Sequence, residues 1–551
     1  MKYNHTYAFV LAALLSTGCA STSDTASKGP VTDAAKLQEA ATKYGETVTA
    51  ADLSKHLTIL ASDEYEGRNT GEKGQKMAAE YIAREFREDG LTGPVTAGSN
   101  PYYQAFDLEK TQWGNGYITI GNQKFLMMQD FFVLGSSPYQ TEQTADVVFA
   151  GYGIDDTKYS DYANVDVTGK MVVVLAGEPK GSNGNFLISG TDKASDWGND
   201  YRKKRNAATK HGAKSILVVT GTNADEFKNL TQRYRSYATR PSIGLKSAGG
   251  AQENAAVMFV SPVAGATLLG TTPEKLFAYG KQVTAAGKPT AASFTVAKDV
   301  KVRTERIATP LPTENVLGYV EGSDKKDELI IVTAHYDHVG VEQDAEGDDK
   351  IFNGANDDGS GTVAVIELAE AFAQAKKDGF GPRRSVLFMT VTAEEKGLLG
   401  SEYYAENPIF PLENTVANVN IDMIGRMDFD HEKTNDSNYI YVIGSDKLSS
   451  ELHQINEEAN QKYVNLKLDY KFNDENDPNR FYYRSDHYNF AKNGIPIIFY
   501  FNGVHADYHK PSDSVDKILF DSAEKVARLA FYTTWELANR DNRIVVDSNK
   551  K

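Results

Sequence analysis

The stretch Leu329-Ile330-Ile331-Val332-Thr333-Ala334-His335-Tyr336-Asp337-His338-Val339-Gly340 joins an apolar run to a His-x-Asp pair. Four consecutive apolar residues read as a strand buried on both faces. A His-x-Asp at its carboxyl end suits a metal ligand with a carboxylate close enough to orient the imidazole. Three further apolar runs, 386–391, 416–421 and 495–501, read the same way. Val365, Leu368, Ala369 and Phe372 stand at i, i+3, i+4 and i+7 of an intervening helix, and Val526, Leu529, Ala530 and Leu537 mark a last one behind Asp521 or Ser522 as cap. This alternation, from Glu314 to Arg540, predicts an α/β domain. Its mixed, mostly parallel sheet is flanked by helices, and its functional groups lie at the carboxyl ends of strands.

Each strand ends near chemistry. Asn353-Gly354-Ala355-Asn356-Asp357-Asp358-Gly359-Ser360-Gly361 leads into the Val365–Phe372 helix. Two adjacent carboxylates in a Gly-rich turn repel unless water, a proton or a cation relieves them. After 386–391 comes Thr392-Ala393-Glu394-Glu395-Lys396-Gly397, where one glutamate can ligate a metal while its neighbour takes a proton from water. The 416–421 run ends in Asp422, and Asp507-Tyr508-His509 follows the 495–501 run. A hydrated surface turn explains any one of these, but not all of them in this order.

The chain has 551 residues, 40% apolar and 24% charged, which excludes a polytopic membrane protein and a disordered tail, and is long enough for two or three domains. Its 59 basic and 75 acidic residues, net charge −16, argue against nucleic acid as a partner. A single cysteine excludes a disulfide framework, a Cys-type zinc site and an iron–sulfur site, so any metal must be held by His and carboxylates.

That cysteine ends the segment Met1-Lys2-Tyr3 to Ser16-Thr17-Gly18-Cys19, in which a basic residue precedes a nine-residue apolar run, too short to span a bilayer. Residues 1–19 resemble a bacterial lipoprotein signal, with Ser16 where Leu is usual. The expectation is export from a bacterial cytoplasm and a lipid anchor at Cys19, facing the periplasm or exterior, as the sole membrane contact; ordinary cleavage nearby would release the protein. Residues 20–45 read as a flexible tether. Residues 46–140 read as the first part of the catalytic domain, with Met77, Tyr81, Ile82 and Phe86 on one helix face and Gly90 closing it. Residues 141–298 read as a β-rich insert, and 299–545 as the metal-binding core.

The order His-x-Asp, Asp-Asp-Gly-Ser-Gly, Glu-Glu-x-Gly-Leu-x-Gly-Ser, Asp-Met, Tyr-His resembles the di-zinc exopeptidases of metallopeptidase family 28. The likeness also reaches Glu66-Gly67-Arg68-Asn69-Thr70-Gly71. Gly151-Tyr152-Gly153-Ile154, 167–174 and His211-Gly212-Ala213-Lys214 resemble a protease-associated domain inserted ahead of the metal core, which makes His211 a structural residue. The resemblance implies the zinc exopeptidase fold and two Zn2+ per chain. Asp357 would bridge them, with His335 and Asp422 completing one site and Glu395 and His509 the other. It implies Glu394 as general base, Tyr508 as oxyanion donor, Asp337 behind His335, and Asp486 and His487 in support. It also implies a cis peptide between Asp357 and Asp358. His338 and His505 read as surface or packing residues ahead of supporting or substrate-facing ones.

The implied activity is removal of N-terminal residues from peptides by metal-activated water. The alternatives are a carboxypeptidase or dipeptidase of the same architecture, a single-zinc glutaminyl cyclase, and a binding protein without turnover, which would have eroded ligands. Oligomeric state and side-chain specificity are not encoded in these motifs.

Overall fold

The computed structural model describes residues 31, 33–135, 137–246, 255–345 and 347–547. The signal segment, Cys19 and most of the expected tether lie outside the described residues. The expectation of a flexible tether does not hold over its last part: Ala34–Gly45 is a helix capped by Asp33, and it buries Ala40, Ala41 and Tyr44 against the core. Among the described residues no helix is long and apolar enough to cross a membrane.

An eleven-stranded mixed sheet organises the chain. Arg384–Val391, Lys325–His335, Thr415–Ile421 and Ile497–Phe501 lie side by side and parallel at its centre. Antiparallel pairing enters on both flanks, through Tyr103–Ile120 with Val300–Val320 on one side and Tyr439–Ile443 on the other. Successive side chains of a strand point to opposite faces. Ile330, Val332 and Ala334 therefore pack under the helices Lys73–Asp89, Gly361–Lys377 and Phe520–Asn539, while Leu329 and Ile331 join Tyr404 and Phe490 on the other face. The last helix starts at Phe520, and neither Asp521 nor Ser522 caps it. Gly90, at φ +90°, closes Lys73–Asp89 in the left-handed conformation that glycine adopts at least cost.

A second sheet, in the order Phe131–Leu134, Ala256–Val260, Ser215–Val219, Met171–Leu175, Val147–Phe149, is parallel except at its first strand. The helices Tyr201–Lys210, Ala224–Thr239 and Pro273–Ala286 accompany it, so this unit is α/β rather than β-rich. It begins before residue 141, at Phe131. Gln143–Ala145 and Ser242–Leu245 leave it to pair with Val300–Val320 and Tyr103–Ile120 of the large sheet. His211 stacks on Tyr162 and meets Asp155 at 2.9 Å.

Candidate metal centre

Parallel strands bring their carboxyl ends to one edge. His335 ends its strand, Asp422 directly follows Thr415–Ile421, and Glu394 and Glu395 come three and four residues after Val391. The Asp357 loop folds over this edge, with a cis peptide joining Asp357 to Asp358.

The carboxylate of Asp357 faces two ways. Its Oδ1 is 3.3 Å from His335 Nε2, which is 3.8 Å from Asp422 Oδ1. Its Oδ2 is 3.0 Å from His509 Nε2, which is 3.0 Å from Glu395 Oε1. Glu394 Oε2 lies 3.8 Å from His335 Nε2. Sequence reasoning grouped all these residues but did not count His338 among the donors. Its ring is wholly buried, with Nδ1 2.9 Å from Glu395 Oε1 and 3.8 Å from Asp357 Oδ2.

The donor set fits cations. Asp357 Oδ2, Glu395 Oε1, Asp422 Oδ1, His338 Nδ1 and His509 Nε2 are all buried and make no hydrogen bond, although they crowd one another. Buried polar atoms are nearly always partnered, so convergent orphans of this kind call for an ion. Imidazoles and carboxylates are ligands zinc takes. Asp358 also lies beside His335 and Asp422, but its oxygens already accept three main-chain N–H groups. Oδ2 accepts from the main-chain N–H of His335 at 3.1 Å, and Oδ1 accepts from those of Gly361 and Met423 at 2.9 and 3.0 Å. Asp358 ties three segments together and leaves the bridging position to Asp357.

Supporting contacts differ in part from expectation. The Asp337 carboxylate is 3.9 Å from His335 Nδ1, which instead meets the main-chain oxygen of Asp337 at 3.1 Å. The carboxylate accepts the Glu394 N–H at 3.1 Å and the Thr70 hydroxyl at 2.8 Å, so it positions the Glu394 backbone. Asp486 is buried and accepts from the Ser401 hydroxyl at 2.5 Å; burial pushes its carboxyl up to about 7. His487 supports the site only indirectly. It stacks on Phe499, its Nε2 lies 2.8 Å from the Tyr482 oxygen, and burial pulls its pKa down to about 3.

Three braces escaped sequence reasoning. Ser485 donates to Asp422 Oδ2 at 2.7 Å. Asp513 Oδ2 accepts the N–H groups of Asn356 and Asp357 at 3.0 and 3.1 Å. The Arg68 guanidinium, 1% exposed, donates to the main-chain oxygens of Leu60, Tyr336, Asn353 and Gly354 at 2.7–2.9 Å. Arg68 stood inside the Glu66–Gly71 motif and Ser485 beside Asp486, but nothing in their spacing indicates a role.

Burial lifts the Glu394 carboxyl well above its usual range, against the pull of His335, with Glu395, Asp486 and Asp422 adding to the rise. A pocket opens onto His335, Asp357, Glu394 and Asp422. Met423, Phe481, Phe499, Phe501 and Val504 line its apolar side, and Tyr508 and Arg484 complete it. Burial also pushes the Tyr508 phenol up, and its ring stacks on His509 at 4.0 Å. His505 is buried, its Nδ1 accepting the Asp507 N–H at 3.2 Å, and it does not line the pocket.

Residues 315–534 match the family described as Peptidase family M28. A probable zinc metalloprotease of Pyrenophora teres f. teres (strain 0-1) is 28% identical over 278 residues, covering 42% of this chain and 53% of that protein. Aminopeptidase YwaD of Bacillus subtilis (strain 168) is 26% identical over 241 residues, covering 42% of this chain and 46% of that protein. The chain thus spans about half the length of these curated relatives. Among solved structures, an aminopeptidase from Aneurinibacillus sp. strain AM-1 aligns over 92% of this chain and 98% of its own, at 19% identity and a TM-score of 0.47.

Proposed function

Since residues 315–534 match the model of peptidase family M28, we propose that this chain is an exported di-zinc aminopeptidase, with Glu394 as general base. The observation that carries the reading is Asp357, whose two oxygens face separate donor groups, His335 with Asp422 and His509 with Glu395. When bound, two zinc ions would polarise the scissile carbonyl and acidify a water.

The protein groups supply the rest. Glu394 takes the proton of the attacking water and returns it to the leaving amine. Its main chain is held by Asp337, so the carboxylate stays aimed into the pocket. Tyr508, kept protonated by burial, donates to the oxygen on which negative charge develops. The apolar wall receives an apolar side chain.

A second reading rests on Arg484. Its guanidinium lies 5.0 Å from the Phe481 ring at the pocket, where it can meet a substrate carboxylate, as a carboxypeptidase or dipeptidase requires.

The test is metal content by mass spectrometry beside hydrolysis of aminoacyl-anilides, for the parent and Glu394→Ala. Two zinc ions per chain, turnover by the parent, and a variant that keeps its metal but loses about 10²–10⁴-fold in rate support the proposal. Two zinc ions without anilide turnover favour the Arg484 reading, and one zinc per chain favours a cyclase. The Cys19 anchor, supported by the sequence of residues 1–19, is tested by Cys19→Ala, which should move the protein from the membrane fraction to the soluble one.

A further inference from the structure

We infer that His338 is a metal ligand through Nδ1, which gives the Glu395–His509 side of the centre four protein donors and leaves the His335–Asp422 side as the open one. The inference rests on the two-metal reading above.

Four atoms surround one point: His338 Nδ1, Asp357 Oδ2, Glu395 Oε1 and His509 Nε2, all within 4.8 Å of one another. Donors about 2.0–2.1 Å from a tetrahedral zinc stand about 3.3 Å apart. The separations here are 2.9, 3.0, 3.0 and 3.8 Å, which bracket that value. A hydrogen bond from His338 to Glu395 would explain 2.9 Å equally well, but the orientation is wrong for one. Nδ1 makes no hydrogen bond, and neither does Glu395 Oε1 or the His338 Nε2. The two imidazoles meet nearly perpendicular, at 74° and 5.6 Å between ring centres, as two ligands of one ion can.

The ring is held in place. Its main-chain N–H donates to the Arg68 oxygen at 3.2 Å, and a Cβ on Gly354 would stand 2.5 Å from its Cγ and Cδ2. Gly354, at φ +56°, is the residue that lets the ring lie flat against the Asp357 loop.

The pocket supplies an independent observation. It is lined by His335, Asp357, Glu394 and Asp422, and by none of His338, Glu395 and His509. Four protein donors satisfy a structural zinc, whereas three leave a position for water or substrate. The side with three donors, His335, Asp357 and Asp422, is the one that faces the pocket and Glu394. The centre is therefore asymmetric: one side offers four protein donors, and the other, with three, faces the pocket.

The experiment is cobalt(II) substitution of the full chain, read by proton NMR in water at low temperature. Each coordinated imidazole contributes one strongly shifted, exchangeable N–H signal. Three signals are expected, from His335, His338 and His509, and His338→Gln should remove one of them. Competition with a chromogenic chelator should then show one of the two ions bound at least a hundredfold more weakly in the variant, the other unchanged. Two cobalt ions with only two shifted N–H signals in the parent overturn the assignment, and that count needs no variant to fold. Fewer than two cobalt ions in the parent overturn the two-metal reading itself, and the ligand assignment with it.

Discussion

Replacing Arg68 with lysine should damage the metal centre without touching a single ligand. The guanidinium donates four hydrogen bonds to main-chain oxygens of three segments: the end of the Ala50–Leu60 helix, Tyr336 after the His335 strand, and Asn353-Gly354 ahead of Asp357. No carboxylate touches it directly, so its value lies in the fork and not in an ion pair. A lysine amine is one compact donor at the end of a flexible stem and reaches two of these oxygens at most. At least two charged hydrogen bonds are lost, each about 1.5–3 kcal/mol, and the oxygens left behind are buried. The expected cost is therefore about 3–6 kcal/mol of unfolding free energy. Urea unfolding followed by tryptophan fluorescence measures it, since Trp535 is 1% exposed in the core beside Phe372 and Phe531. Zinc affinity should fall in parallel, because the same fork fixes the Asp357 loop relative to His335. An Arg68→Lys protein within about 1 kcal/mol of the parent, with unchanged zinc affinity, would refute the clamp.

Other consequences follow from single contacts. Ser485→Ala removes the donor to Asp422 and should weaken zinc binding by about 10–100-fold, measured by chelator competition, with little change in fold. His487, held down to about 3, resists protonation that its unfolded form accepts below about 6.5. The unfolded chain binds the extra proton in that window, so stability falls as pH falls, by about 1.4 kcal/mol per unit and about 2 kcal/mol by pH 5. His487→Phe should flatten this slope in urea titrations by that amount; an identical slope in both proteins counts against it. Gly400→Ala would drive a Cβ to 2.2 Å from the Thr392 oxygen and 2.6 Å from Asn315 Oδ1, displacing the turn after Glu395; loss of soluble protein or of metal is expected, and a normal variant would show that the turn yields.

Four centrally placed apolar runs were readable as strands because both faces of a central parallel strand are buried, which leaves an unbroken apolar stretch in the sequence. His335, the Asp357-Asp358 and Glu394-Glu395 pairs, Asp422 and His509 were readable as candidates for a related reason: each closely follows such a run, or opens a helix between two of them; which member of each pair serves as ligand came only from the family resemblance. The insert was readable as a separate stretch, but its edges were not. Gln143–Ala145 pairs with Val300–Val320, some 155 residues away, and no local pattern records that register.

The sequence by itself determined the four central strands, the residue types available to hold a metal and the exclusion of cysteine-based sites, because periodicity and residue type are local properties. Tertiary structure alone decided how the site is braced. It made Arg68 a clamp, sent the Asp337 carboxylate to the Glu394 backbone, set Ser485 against Asp422, and turned His338 inward onto Glu395. Apart from the Arg68–Leu60 bond, eight positions apart, those contacts join residues 57 to 286 positions apart, and each depends on a side-chain direction set by packing. Spacing along a chain carries no record of such directions, which exist only once the strands have come into register.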